Sequence, residues 1–258
     1  MAMPSRGASG LPESPIDALA AGMQRRLDRL PARLSHQRVF LSTYQRTTRA
    51  IGDAVQRAAF EDPEWVQRWD VAFANLYLSA LDAELSGDEV PGPWRLVFAA
   101  SPDLPPLRRV LLSTNAHINY DLPRALLTVI SDDDFSDPVL IDRCRRDSER
   151  IDTVLSTRVE AEEDALSATG DTAILERLLM PLNHLSAKRF LHEARQKVWH
   201  NTLQLHQSRF AGPAEYAVRL TELEAVSAAK VADLLLPGQL LLRLAISGFG
   251  VSLPPHDR

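Results

Sequence analysis

The sequence predicts an all-α protein. Apolar residues recur at spacings of three and four through most of the chain, alternating strand patterns are nearly absent, and prolines fall where one helical run should stop and the next begin. A chain of 258 residues can bury a core without disulfides or a structural metal. The expectation is a single globular multi-helix domain over 14–250, of about nine or ten helices, between a flexible N-terminal tail at 1–13 and a loose C-terminal tail at 251–258.

The run from Ile16 to Leu30 places Leu19, Met23, Leu27 and Leu30 on one face, and Pro31 stops it. A second helix is expected from about Leu34 to Ala59 on Val39, Leu41, Tyr44, Ile51 and Val55, closed by Glu61-Asp62-Pro63. Pro63 suits the first turn of a third, which carries Trp65, Trp69, Phe73, Leu76, Tyr77 and Leu81 up to Gly87. After DEVPGP come a short helix at 93–100, the loop SPDLPP and a helix starting near Leu107. SDDDFSDP reads as a loop before a long charged helix at 139–166. Gly170-Asp171 opens another segment, and 182–209 reads as helix up to Gly212-Pro213. A further helix covers 214–235, and Pro237-Gly238 sets off a last apolar one.

Composition removes several function classes. A formal charge of −5 and no Lys/Arg-rich stretch with interleaved aromatics argue against nucleic acid as a partner. MAMPSRGASGLPESP lacks the apolar core of a signal peptide. LLLPGQLLLRLAI at 234–246 is too short, and too broken by Pro237-Gly238, for stable membrane insertion. It reads as buried core in preference to a docking surface. The single cysteine, Cys144, excludes an internal disulfide and points to a reducing cytoplasm, and its arginine neighbours make it a candidate reactive thiol. GxGxxG, GxxxxGK and HExxH are all absent.

One segment stands out. NAHINYDLPRAL, 115–126, sets Asn115, His117, Asn119, Tyr120 and Asp121 between apolar runs. On a helix His117 and Asp121 share a face, so they could bind one divalent metal, or the carboxylate could orient the imidazole as a general base. The competing reading is structural: Asn115 as a cap, His117 bonded to a buried carbonyl, and Asp121 capping a helix that starts at Leu122-Pro123. So many polar groups in seven positions are costly to bury without a purpose.

WDVAFANLYLSAL at 69–81, NAHINYDLPRAL and RDSERIDTVL at 146–155 together resemble an uncharacterised bacterial family of helical proteins classed only as a domain of unknown function. The resemblance spans 36–205, with NAHIN-x-DLP its most specific part, and supplies positions without chemistry. Those positions are Asp70, Phe73, Tyr77, Asn115, His117, Asn119, Asp121 and Pro123; at Tyr120 the family pattern implies an arginine.

Asp70, Phe73 and Tyr77 share a face, so Asp70 should reach either His117 or an arginine of another helix such as Arg108. DDFSD (Asp133, Asp134, Asp137) followed by DTVLSTRVE (152–160) fits the two metal motifs of class I terpene cyclases, but the motifs lie too close together and Pro138 puts the first in a loop. His184, His192, His200 and His206 read as an exposed polar face or as single contributors to a shared site, and Trp199 as core or pocket wall. The leading expectation is an enzyme acting on a small, largely apolar molecule between the 69–81 helix and the 115–126 segment. There His117, Asp121 and Asp70 are catalytic, with His117 and Asp121 as metal ligands if a metal takes part, and Trp69, Phe73, Tyr77, Asn115 and Asn119 contact substrate. The alternatives are a non-catalytic ligand-binding or interaction protein whose polar cluster is structural, and a terpenoid cyclase. Self-association is left open.

Overall fold

The computed structural model describes residues 14–166, 185–238 and 240–255, and every regular element among them is helical. In order these are α1 (Pro15–Arg29), a 3-10 turn (Ala32–Gln37), α2 (Arg38–Gln56), α3 (Pro63–Ser86), α4 (Gly92–Phe98), α5 (Pro106–Ala116), a π turn (His117–Asp121), α6 (Leu122–Val129), a 3-10 turn (Asp134–Ser136), α7 (Pro138–Leu166), α8 (Leu185–Ala211), α9 (Pro213–Leu235) and α10 (Leu240–Ser247). The segment expected to open at Gly170-Asp171 lies outside the described residues.

The helix ends follow local chemistry. In α1, Ser14 Oγ accepts from Ile16 N at 3.3 Å and Pro15 occupies the first turn, where no N–H is needed. α3 is capped by Asp62, which accepts from Trp65 N at 2.9 Å, and it closes on Gly87 at φ 80°, a left-handed position that suits glycine. The single helix expected over 34–59 is a 3-10 turn followed by α2. It ends at Gln56 because the backbone turns back at Ala58, φ 52°. Asp137 caps α7 by accepting from Val139 N and Leu140 N at 2.9 and 3.3 Å.

α1, α2 and α3 pack on one another, α6 lies against α3 and α8, α9 covers α4, α5 and α8, and α7 rests on α2. Two apolar clusters result. One gathers Met23, Leu41, Tyr77, Leu81, Trp94, Leu112 and Leu223; the other gathers Ile16, Ile51, Trp65, Val66, Trp69, Leu126, Cys144 and Trp199. α3 contributes Trp65 and Trp69 to the second and Tyr77 to the first, while Ile118 of the π turn packs against both. The 115–121 segment therefore sits at the seam of the core.

Residues 251–255 are not loose, as the sequence led us to expect. Phe249 and Leu253 are buried in the first cluster, and Asn201 accepts from Leu253 N at 2.8 Å and donates to Val251 O at 2.9 Å. The strap turns at Gly248, φ 71°, where a side chain would also strike Glu193. Within LLLPGQLLLRLAI, Leu234, Leu240 and Leu244 are buried, and among the described residues no helix is long and apolar enough to cross a membrane.

Candidate active site

Pro123 has no N–H, and in an unbroken α-helix its ring would collide with the carbonyl four residues earlier. The chain avoids this collision by widening into one π turn, in which Leu122 N–H reaches back to His117 O, before α6 begins. Single π turns of this kind recur at functional sites. The turn keeps His117 and Asp121 on one side: imidazole Nδ1 lies 2.8 Å from Asp121 Oδ2. Asp121 therefore does not cap α6. Its Oδ2 also accepts from the indole N–H of Trp94 at 2.8 Å, while Arg124 stands farther off, 3.5 Å from Oδ1.

This arrangement selects one tautomer. A carboxylate only accepts, so the His117 proton resides on Nδ1 and the Nε2 lone pair is left as a base. Burial lowers the imidazole pKa below its ordinary value, and the Asp121 hydrogen bond opposes that only in part, so the ring is neutral.

His117 sits in an aromatic box. Phe73 stacks on it with centroids 3.6 Å apart and planes 5° from parallel, and Tyr44 meets it edge-on at 4.8 Å. Trp94, Tyr77 and Phe40 close the box at 5.9, 6.0 and 6.2 Å. Of these five rings Phe73 alone is partly exposed. Trp65, Trp69 and Phe73, one turn apart along α3, form a column of near-parallel rings ending on the imidazole.

Within the box, His117 Nε2 and the Tyr44 and Tyr77 hydroxyls are buried with no partner in the protein, and Thr48 Oγ1, Asp70 Oδ2 and Asn115 Oδ1 are buried and unpartnered as well. Burial pushes the Asp70 carboxyl up to about 7. It also pushes the Tyr44 hydroxyl well up, an effect reinforced by Asp70 first and then Asp121, so both acids bear on a ring that touches His117. Tyr77 is raised by burial as well.

The predicted residues thus divide. His117, Asp121, Phe73 and Tyr77 come together, and Asp70 is linked to them through Tyr44. Asp70 does not pair with Arg108, which donates to the carbonyls of Leu236 and Gly238. Asn115 and Asn119, expected to hold a substrate oxygen, donate to Phe249 O at 2.9 and 3.0 Å; Asn119 Oδ1 accepts from Val251 N, and Asn115 Oδ1 has no partner in the protein. Trp69 is one ring removed from the imidazole, in the column. His117 Nδ1 and Asp121 Oδ2 are bonded to each other, which leaves Nε2 as the open nitrogen of the ring. Among the described residues no three His, Cys, Asp or Glu side chains gather round one point.

The acidic loop is a turn and a cap. Asp134 accepts from Ser131 N and Asp137 caps α7, so neither faces a helical barrel; the side chains of Asp152, Ser156 and Glu160 lie outside the described residues. His184 and the His192 side chain lie outside them too, while His206 pairs with Asp132 at 3.2 Å and stacks on Phe135, away from exposed His200. Burial pushes the Cys144 thiol up to about 12, which removes it as a nucleophile.

Sequence reasoning missed Trp94 and Phe40 and read Tyr44 only as part of the apolar stripe of α2. Tyr44 could have been found as the polar member of that stripe. Sequence reasoning also missed Asp147, fully buried, which accepts from Glu61 N and Asp62 N at 2.8 Å each and ties the α2–α3 turn to α7.

A family model described as "Family of unknown function (DUF5995)" matches residues 16–237, a span that includes the π turn and every ring of the box. The chain belongs to this family. No curated protein and no solved structure matches it.

Proposed function

We propose that the protein is an enzyme in which His117 Nε2 acts as general base on a small, uncharged, largely apolar molecule. Asp121 orients the imidazole and Asp70, which carries a proton near neutrality, supplies the acid. The observation that carries this reading is the oriented imidazole whose Nε2 has no protein partner, enclosed by five rings that include the unpartnered Tyr44 and Tyr77 hydroxyls, with the unpartnered Asp70 carboxyl bearing on Tyr44. No Lys or Arg belongs to that set, which disfavours an anionic substrate. Phe73, the one partly exposed ring of the box, covers a face of the imidazole, so in this reading it is the ring that swings aside to admit substrate. General-base catalysis of this kind contributes roughly 10²–10⁴-fold in rate.

Proton abstraction can be followed whatever reaction it serves. Small ketones, aldehydes and esters are incubated with the protein in deuterated water, and α-proton exchange and hydrolysis are followed by proton NMR. At least one compound should react, and His117→Gln should lose about a hundredfold or more of that rate. A His117→Gln protein that keeps the full rate, or an imidazole whose nitrogen shifts place the proton on Nε2, would sink the reading.

A ligand-binding role without chemistry is the second reading, favoured by the tight enclosure of the imidazole by five rings. It predicts compounds that shift the His117 resonances and are recovered unchanged.

A further inference from the structure

We propose that a groove between α7 and α8, separate from the His117 box, is a binding site for a planar organic carboxylate. The groove encloses about 430 Å³, within the roughly 300–1,000 Å³ typical of small-molecule sites. No residue of the box lines it.

Its floor is Trp199, which is almost wholly buried and packs inward against the second apolar cluster. Arg145 of α7 lies over the indole with its guanidinium carbon 5.3 Å from the ring centroid. A guanidinium held against an aromatic ring in this way keeps its planar fork of N–H groups, with which it can meet a carboxylate by two donors at once. The acid one turn back, Asp142, is 3.6 Å away, longer than a good hydrogen bond.

Along α8, Arg195, Trp199 and Leu203 follow one another at intervals of four and all line the groove, so its wall runs from cationic through aromatic to aliphatic. Such a gradient suits a ligand with an anionic head and a flat apolar body. His200 adds a further donor at the rim, and Glu149 is the one acid among the described residues of the lining.

The experiment titrates 2-naphthoate into the full chain, followed by calorimetry and by the Trp199 indole N–H resonance, with 2-naphthalenemethanol as the uncharged control. Saturable binding below millimolar is expected, weakened about tenfold in Arg145→Gln and for the alcohol, as loss of a charged hydrogen bond implies. Arg145 is partly exposed, so circular dichroism should show the variant folded. Trp199→Phe should also weaken binding, and His117→Gln should leave it unchanged. Absence of saturation, wild-type affinity in Arg145→Gln, or equal affinity for the alcohol would each overturn the proposal.

Discussion

Two buried side chains, Asp70 and His117, set opposite responses to pH. Burial raises the Asp70 carboxyl from 3.8 to about 7, so between these values the folded chain keeps a proton that the unfolded chain releases. The stability this group contributes is full below about pH 3.8 and is lost as pH rises towards 7. At 1.36 kcal/mol per unit the loss is about 4 kcal/mol, and Asp70→Asn should remove it: urea melts should show the variant gaining on wild type by that order between pH 4 and 7. His117 acts the other way, because its folded pKa lies below 6.5, so its contribution is present above that value and is lost as pH falls. Phe73→Ala should expose the imidazole, so that diethylpyrocarbonate modifies His117 far faster than in wild type, at a stability cost of up to about 3 kcal/mol. Equal modification rates would show that Phe73 does not control entry. At this scale the His117–Asp121 pair was legible, because a spacing of four puts two side chains within reach on any helix. Trp94 was not legible, since its bond to Asp121 joins helices that only the tertiary fold brings together. The same holds for Asn115 and Asn119, whose polarity was visible while their partner, a backbone carbonyl at 249, had no marker in the sequence.

The elements themselves were largely readable. Periodicity and proline placement located α1, α3, α7 and α9 to within a few residues, since burial of one face is what gives a helix both its pattern and its stability. The π turn was half visible: Pro123 announced an interruption, but whether the chain would break or widen depended on packing from both clusters. The strap at 248–255 has no periodic pattern and escaped notice. Deleting residues 249–258 removes the burial of Phe249 and Leu253, and should lower stability by about 4 kcal/mol at roughly 1.5–3 kcal/mol per side chain; an unchanged urea midpoint would refute its structural role. Asp147→Asn tests the join between α7 and the α2–α3 turn. An amide keeps only one acceptor oxygen where the carboxylate serves two backbone donors, so a cost of about 2 kcal/mol is expected.

Across the molecule, the two apolar clusters meet along α3 and the π turn, which predicts that they unfold together. Cys144 offers a probe, being buried in the second cluster with its thiol raised to about 12. Dithionitrobenzoate should leave it untouched in native conditions and label it in step with the loss of helical signal in urea; labelling that precedes helix loss would mean that the second cluster opens alone. The family match ends at residue 237 and so stops short of α10 and the strap, although Phe249 and Leu253 complete the first cluster. The ring column has a further consequence for measurement. Trp65 and Trp69 lie 5.8 Å apart and 3° from parallel, close enough for their excited states to mix, so the folded chain should carry a perturbed tryptophan ultraviolet absorption band that unfolding abolishes. Anything that disturbs the column where Phe73 meets the imidazole should shift that band while leaving the helix signal untouched, giving an intrinsic optical gauge of the rings that lead to His117.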